Sequence, residues 1–170
     1  MKRMVFFDIE GVLWEESSYP VRDAYGMLAH GAPVIDKYAA RLLREFKNKD
    51  FSFNVGIIIK ENEFATTDIY LKKKLAKKLH VNRKSVIIIH QNDRKSVIPH
   101  SKDDILVDND EAELSCWDGI KVQYVQGYNI AIQNDYNYNY FKVYNRCVSP
   151  AKTVKNILEV LKAHDKNKKK

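Results

Sequence analysis

Short, almost continuous apolar runs recur along the chain and are separated by longer segments of mixed polarity. The runs cover residues 4–7, 53–59, 86–89, 105–107 and 122–125. Runs that are apolar throughout, rather than at alternate positions, are typical of strands buried on both faces of a sheet. We therefore predict five buried strands at these positions.

Several of the intervening segments carry the signals of helices. Over residues 35–46 the apolar positions recur at i, i+3, i+4, i+7, i+8 and i+11, which predicts an amphipathic helix. A second helix is predicted over 67–80 with Thr67 as its N-cap, and Ser149 followed by Pro150 indicates the start of a last helix. Buried strands that alternate with helices predict an α/β fold: a three-layer, Rossmann-like sandwich with a mainly parallel sheet of about five strands.

Two stretches do not fit this alternation. Residues 14–34 contain Ser, Gly and two Pro with little periodicity, and we predict a loop there. Residues 126–146 hold most of the Asn and Tyr clusters and predict either a hairpin or an excursion near the end of the sheet. We expect residues 1–163 to form one domain and residues 164–170 to form a flexible basic tail.

The composition is typical of a single globular domain. A chain of 170 residues that is 45% hydrophobic and 11% aromatic is too apolar to be disordered. Its two cysteines, Cys116 and Cys147, are too few for a disulfide scaffold. No apolar run approaches the roughly 20 residues of a membrane span, and Asp8 interrupts the first run too early for a signal peptide. We therefore expect a soluble, cytoplasmic protein without a membrane partner, and we leave its oligomeric state open.

The formal net charge of +7 raises the question of a nucleic-acid partner. Much of the excess lies in the lysine-rich segment 72–78 and in the tail 166–170. In the first segment Leu71, Leu75 and Leu79 recur every four positions, so the lysines are predicted on the opposite, solvated face of a helix. A solvated face is the simpler interpretation. A nucleic-acid-binding surface remains the alternative, although no recognised nucleic-acid motif accompanies the charge.

Two of the predicted strands end in carboxylates. Asp8 and Glu10 follow the first strand, and Asp108, with Asn109 beside it, follows the fourth. Ligands of parallel α/β sheets bind outside the carboxyl ends of the strands, so acids on neighbouring strands would converge there. Converging carboxylates repel one another and favour a hard cation such as Mg²⁺, which beside a carboxylate nucleophile is suited to phosphoryl transfer. For either acid alone, the alternative is a helix cap or a strand end in water.

The two acidic segments resemble motifs of the haloacid dehalogenase (HAD)-like hydrolase superfamily. Residues 6–13, Phe-Phe-Asp-Ile-Glu-Gly-Val-Leu, resemble its first motif, and residues 103–110, Asp-Asp-Ile-Leu-Val-Asp-Asn-Asp, resemble its last. The second match is most similar to the 5′-nucleotidase/deoxyribonucleotidase-type branch, in which a lysine precedes the motif and a tryptophan follows it, as Lys95 and Trp117 do here. The resemblance implies that the loop 14–34 is at most a minimal cap over the site.

The resemblance also implies a catalytic role for three side chains. Asp8 would be the nucleophile that forms an aspartyl-phosphate. Glu10 would be the general acid that protonates the leaving oxygen and then the base that activates water. Lys95 would screen the nucleophile and the phosphate.

Further residues would bind the metal and the phosphate. The resemblance implies that Mg²⁺ is held by Asp8, Asp108 and Asn109 together with the backbone carbonyl of Glu10. It also implies that Gly11 permits the sharp turn after the first strand. For the phosphate side of the crevice the candidates are Gly11, Lys60 and Arg94.

Three positions depart from the family pattern. Glu10 stands where most members have Asp, and Asn109 stands where the nucleotidase branch has a second Asp. Lys60 stands where a Thr or Ser usually hydrogen-bonds the phosphoryl group, and a lysine there would either bind phosphate as a point charge or mark a lost function.

The leading hypothesis is a magnesium-dependent phosphatase that hydrolyses a phosphorylated small molecule. A nucleotide-like substrate is a narrower version, based on the branch resemblance and on Trp14 and Tyr25 as residues that could stack on a base. The alternatives are a catalytically impaired HAD-fold binding module and a nucleic-acid-associated phosphatase.

Overall fold

A computed structural model describes residues 3–14, 21–22, 28–29, 35–48, 53–61, 68–125, 140–144 and 149–167. In chain order its elements are β1 (Met4–Asp8), β2 (Val21–Arg22), β3 (Leu28–Ala29), α1 (Lys37–Phe46), β4 (Asn54–Lys60), α2 (Asp68–Leu79), β5 (Val86–Ile89), β6 (Ile105–Asp108), α3 (Glu111–Cys116), β7 (Ile120–Val125), β8 (Tyr140–Tyr144) and α4 (Pro150–Asn167). Short 3-10 turns at Arg83–Ser85 and Lys95–Val97 precede β5 and β6.

The centre of the fold is a parallel sheet with the strand order β5-β4-β1-β6-β7-β8. Every neighbouring pair is parallel, and the five predicted strands are all present, which confirms the α/β class and the parallel sheet. The sixth strand, β8, comes from the Tyr- and Asn-rich stretch. It pairs with β7 in parallel, which a direct hairpin connection cannot achieve. Most of that stretch, 126–139 and 145–146, lies outside the described residues.

The two faces of the sheet are covered unequally. Side chains of a strand alternate between faces, so Val5 and Phe7 point to one side and Phe6 points to the other. The first side forms a large apolar core with α1, α2 and α4. The second side forms a smaller cluster, in which Phe6 packs with Trp117 and Leu114 under the six-residue helix α3. The predicted three layers are therefore present, but the helical layer on the second face is thin.

The helix signals of the sequence correspond to observed elements. Asp36 caps α1 by accepting a hydrogen bond from the backbone N–H of Ala39 at 2.7 Å. Ser149 caps α4, since its hydroxyl accepts from the N–H of Lys152 at 3.3 Å. Helix α4 continues to Asn167 and so includes 164–167 of the segment predicted as a flexible tail. In α2 two residues of the predicted apolar face, Leu75 and Leu79, are buried. The lysines on the other side are exposed, except for the half-buried Lys72. The side chain of Leu71 and the predicted cap Thr67 lie outside the described residues.

The two ends of the segment 14–34 lie side by side. Trp14 forms an antiparallel bridge with Ile35, and the N–H of Asp36 donates to the carbonyl of Leu13 at 3.0 Å. Within the segment, where a loop was predicted, β2 and β3 pair in antiparallel fashion; nothing else of 15–34 is described.

At the opposite edge of the sheet, Asp104 connects the beginnings of three strands. Its buried carboxylate accepts from the N–H of Met4 and the N–H of Ser101, each at 2.7 Å. Its carbonyl accepts from the N–H of Ile120 at 2.8 Å. Across the parts of the chain that the structure describes, no helix is long and apolar enough to cross a membrane.

Candidate active site

Two carboxylates lie side by side at the carboxyl edge of the sheet. Phe7 of β1 is in register with Val107 of β6, so Asp8 and Asp108 are the next residues on two paired strands. Their side chains point to the thinly covered face, as Phe6 does two residues earlier. Asp8 is 5% exposed and Asp108 is fully buried. The predicted convergence of acids from the two motifs is therefore present.

Lys95 lies between these two carboxylates. Its Nζ is 2.8 Å from Oδ1 of Asp8 and 2.6 Å from Oδ2 of Asp108. The lysine begins the 3-10 turn that covers this end of the sheet, and it is 4% exposed. The structure thus brings together three of the predicted residues, one from each of three separate segments.

The charges of this group are not balanced. Burial raises the pKa of Asp8, and the positive charge of Lys95 opposes this rise without cancelling it. Burial, followed by repulsion from Asp8, raises the pKa of Asp108 to about 7. Burial acts to lower the pKa of Lys95, but attraction to the two carboxylates outweighs it and the pKa lies above its usual value. One ammonium therefore faces two acids whose ionisation is disfavoured, and a second cation would favour ionisation of both.

The turn after β1 packs directly against the turn after β6. Gly11 has φ +70°, a left-handed conformation that favours glycine, and a Cβ at this position would lie 2.4 Å from Nδ2 of Asn109. The turn closes with a hydrogen bond from the N–H of Trp14 to the carbonyl of Ile9 at 2.8 Å. Glu10 is half-buried in this turn, and its charge adds to the rise in the pKa of Asp8 after burial, the largest cause.

The residues that follow β6 fix Asp108 in place. The N–H of Asp110 donates to Oδ1 of Asp108 at 3.0 Å. The carboxylate of Asp110 accepts from the N–H of Ala112 at 2.7 Å and caps α3. Asp110 is therefore a helix cap, whereas both oxygens of Asp108 are directed into the group around Lys95 and the following turn.

Lys60 and Arg94, two of the three candidate phosphate ligands, both contact the same carboxylate. Glu113 of α3 accepts from Nζ of Lys60 at 2.8 Å and lies 3.4 Å from a guanidinium nitrogen of Arg94. Its second oxygen accepts from the backbone N–H of Lys95 at 2.9 Å. Burial acts to raise the pKa of Glu113, but the hydrogen bonds and charges of its partners lower it below the usual value. Lys60 and Arg94 are therefore next to the candidate site, but both are ion-paired with Glu113.

Glu113 was not identified from the sequence. The available signal was its spacing, because it precedes Trp117 by four residues and so shares the inward side of a helix that begins at 111. An inward-facing glutamate requires cationic or hydrogen-bonding partners. Gln123 was also missed. It pairs with Asp108 in the sheet register, and its Nε2 donates to Glu111 at 3.0 Å.

The two acids are oxygen donors of the kind that Mg²⁺ prefers. Mg²⁺ is usually held by one or two carboxylates and completes its shell with water and phosphate oxygens. Asp8 and Asp108 supply two carboxylates, and Asn109 carries an amide oxygen next to them. Among the residues whose positions are described, no three His, Cys, Asp or Glu side chains form a metal-binding group. A magnesium ion here would therefore depend on these two acids and on neutral oxygen donors.

One predicted role is contradicted by the packing. Trp14 was proposed to stack on a nucleotide base, but it is 4% exposed and belongs to the large apolar core. Its ring is therefore not available to a ligand. Tyr25, the other candidate, lies outside the described residues.

Comparison of this chain with protein-family models gives no match, and comparison with curated proteins gives no significant match.

Proposed function

We propose that this chain is a magnesium-dependent phosphatase of the HAD-like hydrolase superfamily that hydrolyses a phosphate monoester through an aspartyl-phosphate on Asp8. The observation that supports it most is the contact of Lys95 with both Asp8 and Asp108 at neighbouring strand ends. The sequence resemblance links these same three positions to the nucleophile, the metal ligand and the screening lysine. A purely structural ion pair would require only one carboxylate for one lysine.

In the first step an oxygen of Asp8 attacks phosphorus and the bond from phosphorus to the ester oxygen breaks. Glu10, in the turn beside Asp8, protonates the departing oxygen so that an alcohol leaves. Lys95 opposes protonation of the nucleophile, because its positive charge counteracts the effect of burial on the pKa of Asp8. The product of this step is a phosphoryl group bonded to Asp8.

In the second step water attacks the same phosphorus atom and Glu10 accepts a proton from it. The bond between phosphorus and Asp8 breaks, the carboxylate is regenerated and inorganic phosphate leaves. Asp8, Asp108, Asn109 and the carbonyl of Glu10 would hold Mg²⁺, which neutralises phosphate charge when bound. Lys60 and Arg94, beside Lys95, would attract the phosphate to this side.

The proposal is tested with an aryl phosphate and a panel of phosphorylated metabolites, assayed with and without Mg²⁺. We expect magnesium-dependent release of phosphate, and a loss of at least about a thousandfold in Asp8→Asn because the nucleophile is removed. Asp118→Asn is the matched control, since it makes the same change at an exposed carboxylate. Absence of turnover on every substrate, or equal rates in Asp8→Asn and the parent protein, would refute a phosphatase.

A second candidate is a binding module that retains the site without turnover. It is supported by Lys60, which replaces the expected hydroxyl and is ion-paired with Glu113, and by Lys95, which already contacts both acids. A crystal structure with Mg²⁺ and beryllium fluoride, a phosphate mimic, distinguishes the two. An octahedral ion on Asp8 and Asp108 with the mimic on Asp8 supports the enzyme, whereas a site that keeps only the lysine contact supports the module.

A further inference from the structure

We propose that α2 and the turn after it form a binding surface for the phosphate backbone of double-stranded nucleic acid. The first observation is the distribution of charge. Residues 68–92, which begin with α2, hold 7 of the 29 Lys and Arg but only one of the 22 Asp and Glu, Asp68 at the first position of the helix. This segment therefore carries a formal charge of +6, against +7 for the whole chain.

The cations of α2 form two adjacent rows on its exposed side. Leu75, Ala76 and Leu79 are buried against the sheet, whereas Lys73 and Lys77 form one exposed i, i+4 row and Lys74 and Lys78 form the next. Like charges at this spacing destabilise a helix, and no acid stands between Lys72 and Lys84 in the sequence. A polyanion lying along the helix would relieve the repulsion between Lys73 and Lys77.

The turn that follows extends this surface on a fixed framework. The chain reverses after α2 at His80, which has φ +53°, and the N–H of Val81 donates to the carbonyl of Ala76 at 3.0 Å. The 3-10 turn Arg83–Ser85 then packs on α2, with Arg83 and Lys84 exposed. The basic surface (Lys73, Lys74, Lys77, Lys78, Arg83 and Lys84) thus lies on packed elements.

The chemistry of the surface favours a nucleic-acid duplex. A duplex presents about one negative charge per 1.7 Å of its axis, which suits a rigid array of cations. Helices that bind membranes insert apolar side chains, and proteins that bind single strands stack aromatic rings on the bases. Among the described residues the only large apolar side chain that is exposed is Val97, and it lies on the other side of the sheet. Contacts to phosphate alone carry no sequence preference.

The surface is separate from the candidate active site. Helix α2 packs on the first face of the sheet, whereas Asp8 and Asp108 point to the second. Nucleic-acid binding by this surface therefore does not depend on phosphatase activity, and one can be absent while the other is present.

The test compares two variants with the same net charge. The surface variant is Lys73→Gln, Lys77→Gln and Lys78→Gln, and the control is Lys102→Gln, Lys152→Gln and Lys155→Gln at exposed positions elsewhere. Each lowers the formal charge from +7 to +4. Glutamine has a helix propensity close to that of lysine, so both variants should keep the parent circular dichroism spectrum.

Binding of two unrelated short DNA duplexes is measured by fluorescence anisotropy between about 50 and 200 mM salt. We expect equal affinity for both sequences, with log K falling linearly with log salt. The surface variant should lose at least about tenfold in affinity at the lowest salt and about 2 to 3 units of slope, while the control keeps both.

Three results would overturn the proposal. These are no binding of the parent protein at the lowest salt, equal losses in the control and surface variants, and binding to anionic-lipid vesicles but not to the duplexes. The second result would mean that total charge, not this surface, determines the affinity. The third would assign the surface to a membrane.

Discussion

At the scale of single residues, Lys95 holds two buried carboxylates within hydrogen-bonding distance of one ammonium group. Replacing it by methionine keeps most of its volume but leaves both carboxylates without their counter-charge. Removal of one partner from a buried ion pair typically costs about 3–5 kcal/mol. We expect Lys95→Met to lower the free energy of unfolding by this amount, measured by urea denaturation near neutral pH.

The exposed Lys102 provides the control for that measurement, since Lys102→Met should change the free energy of unfolding by less than about 0.5 kcal/mol. A double-mutant cycle with Asp108→Asn isolates the charge interaction. Lys95→Met should cost less in the Asp108→Asn background, because fewer buried charges then lack a partner. Equal costs in both backgrounds would show that Lys95 and Asp108 are not coupled energetically.

Gly11 has both a backbone and a packing requirement. Its φ of +70° disfavours any side chain, and a Cβ would collide with Asn109. We expect Gly11→Ala to destabilise the protein by about 2–4 kcal/mol, of which about 1–2 kcal/mol is the cost of the left-handed backbone. In an Asn109→Ala background only the backbone part should remain, as measured by thermal and urea unfolding. An undiminished cost there would mean that the contact with Asn109 is not the cause.

The sequence indicates the acids of the site but not their full environment. Asp8 and Asp108 could be predicted because each ends an apolar strand, and neighbouring parallel strands bring such ends together. Glu113 could not, because it lies in a six-residue helix too short to have a clear period. Its partners Lys60 and Arg94 come from two other segments. A sequence does not show which cationic side chain a buried acid will contact in the folded protein.

At the scale of elements, Glu113 joins α3 to β4 and to the turn that carries Lys95. Its pKa lies below the ordinary value of 4.5 in the folded protein. The stability that it contributes is therefore fully present above pH 4.5 and is lost as the pH falls through the lower folded-state pKa. Glu113→Gln should cost about 1.5–3 kcal/mol near neutral pH, the usual contribution of hydrogen bonds to a charged group.

Urea unfolding of the parent protein and Glu113→Gln across the acid range tests this expectation. The difference between their free energies of unfolding should shrink as the pH falls below 4.5. Glu159→Gln, at an exposed position of α4, should give no such trend. A difference that stays constant with pH would mean that the carboxylate charge of Glu113 contributes nothing.

The order of elements was largely predictable, and the exception has a compositional reason. Strands β1, β4 and β6 are mostly apolar because both of their faces are buried, and this property is visible in a sequence. Strands β5 and β7 are only partly buried, but each still contains a short apolar run. Strand β8 lies in a stretch rich in Tyr and Asn, in which no apolar run stands out. Its pairing with β7 in parallel requires a long connection, and local sequence patterns carry no information on that.

At the scale of the whole molecule, the first strand of the chain is an inner strand of the sheet. β1 is hydrogen-bonded to β4 on one side and to β6 on the other, whereas β5 is an edge strand. The amides of Phe6 and Phe7 should therefore exchange with solvent only through global unfolding, and the β5 amides through smaller openings. Native-state hydrogen exchange measures both free energies. Exchange of the β1 amides at a lower free energy than those of β5 would contradict this order.

The hydrogen bond from the backbone N–H of Met4 to the carboxylate of Asp104 also has a consequence for folding during protein synthesis. Its partners are 100 residues apart, and β6, the second neighbour of β1, follows directly after Asp104. A ribosome that adds roughly 5–20 residues per second takes about 5–20 s to cover that distance. Throughout this interval the nascent chain carries an apolar N-terminal strand that lacks one native neighbour. The pairing of β1 with β6, and with it the contact between the two acidic strand ends, can therefore form only after translation has passed the second acidic motif.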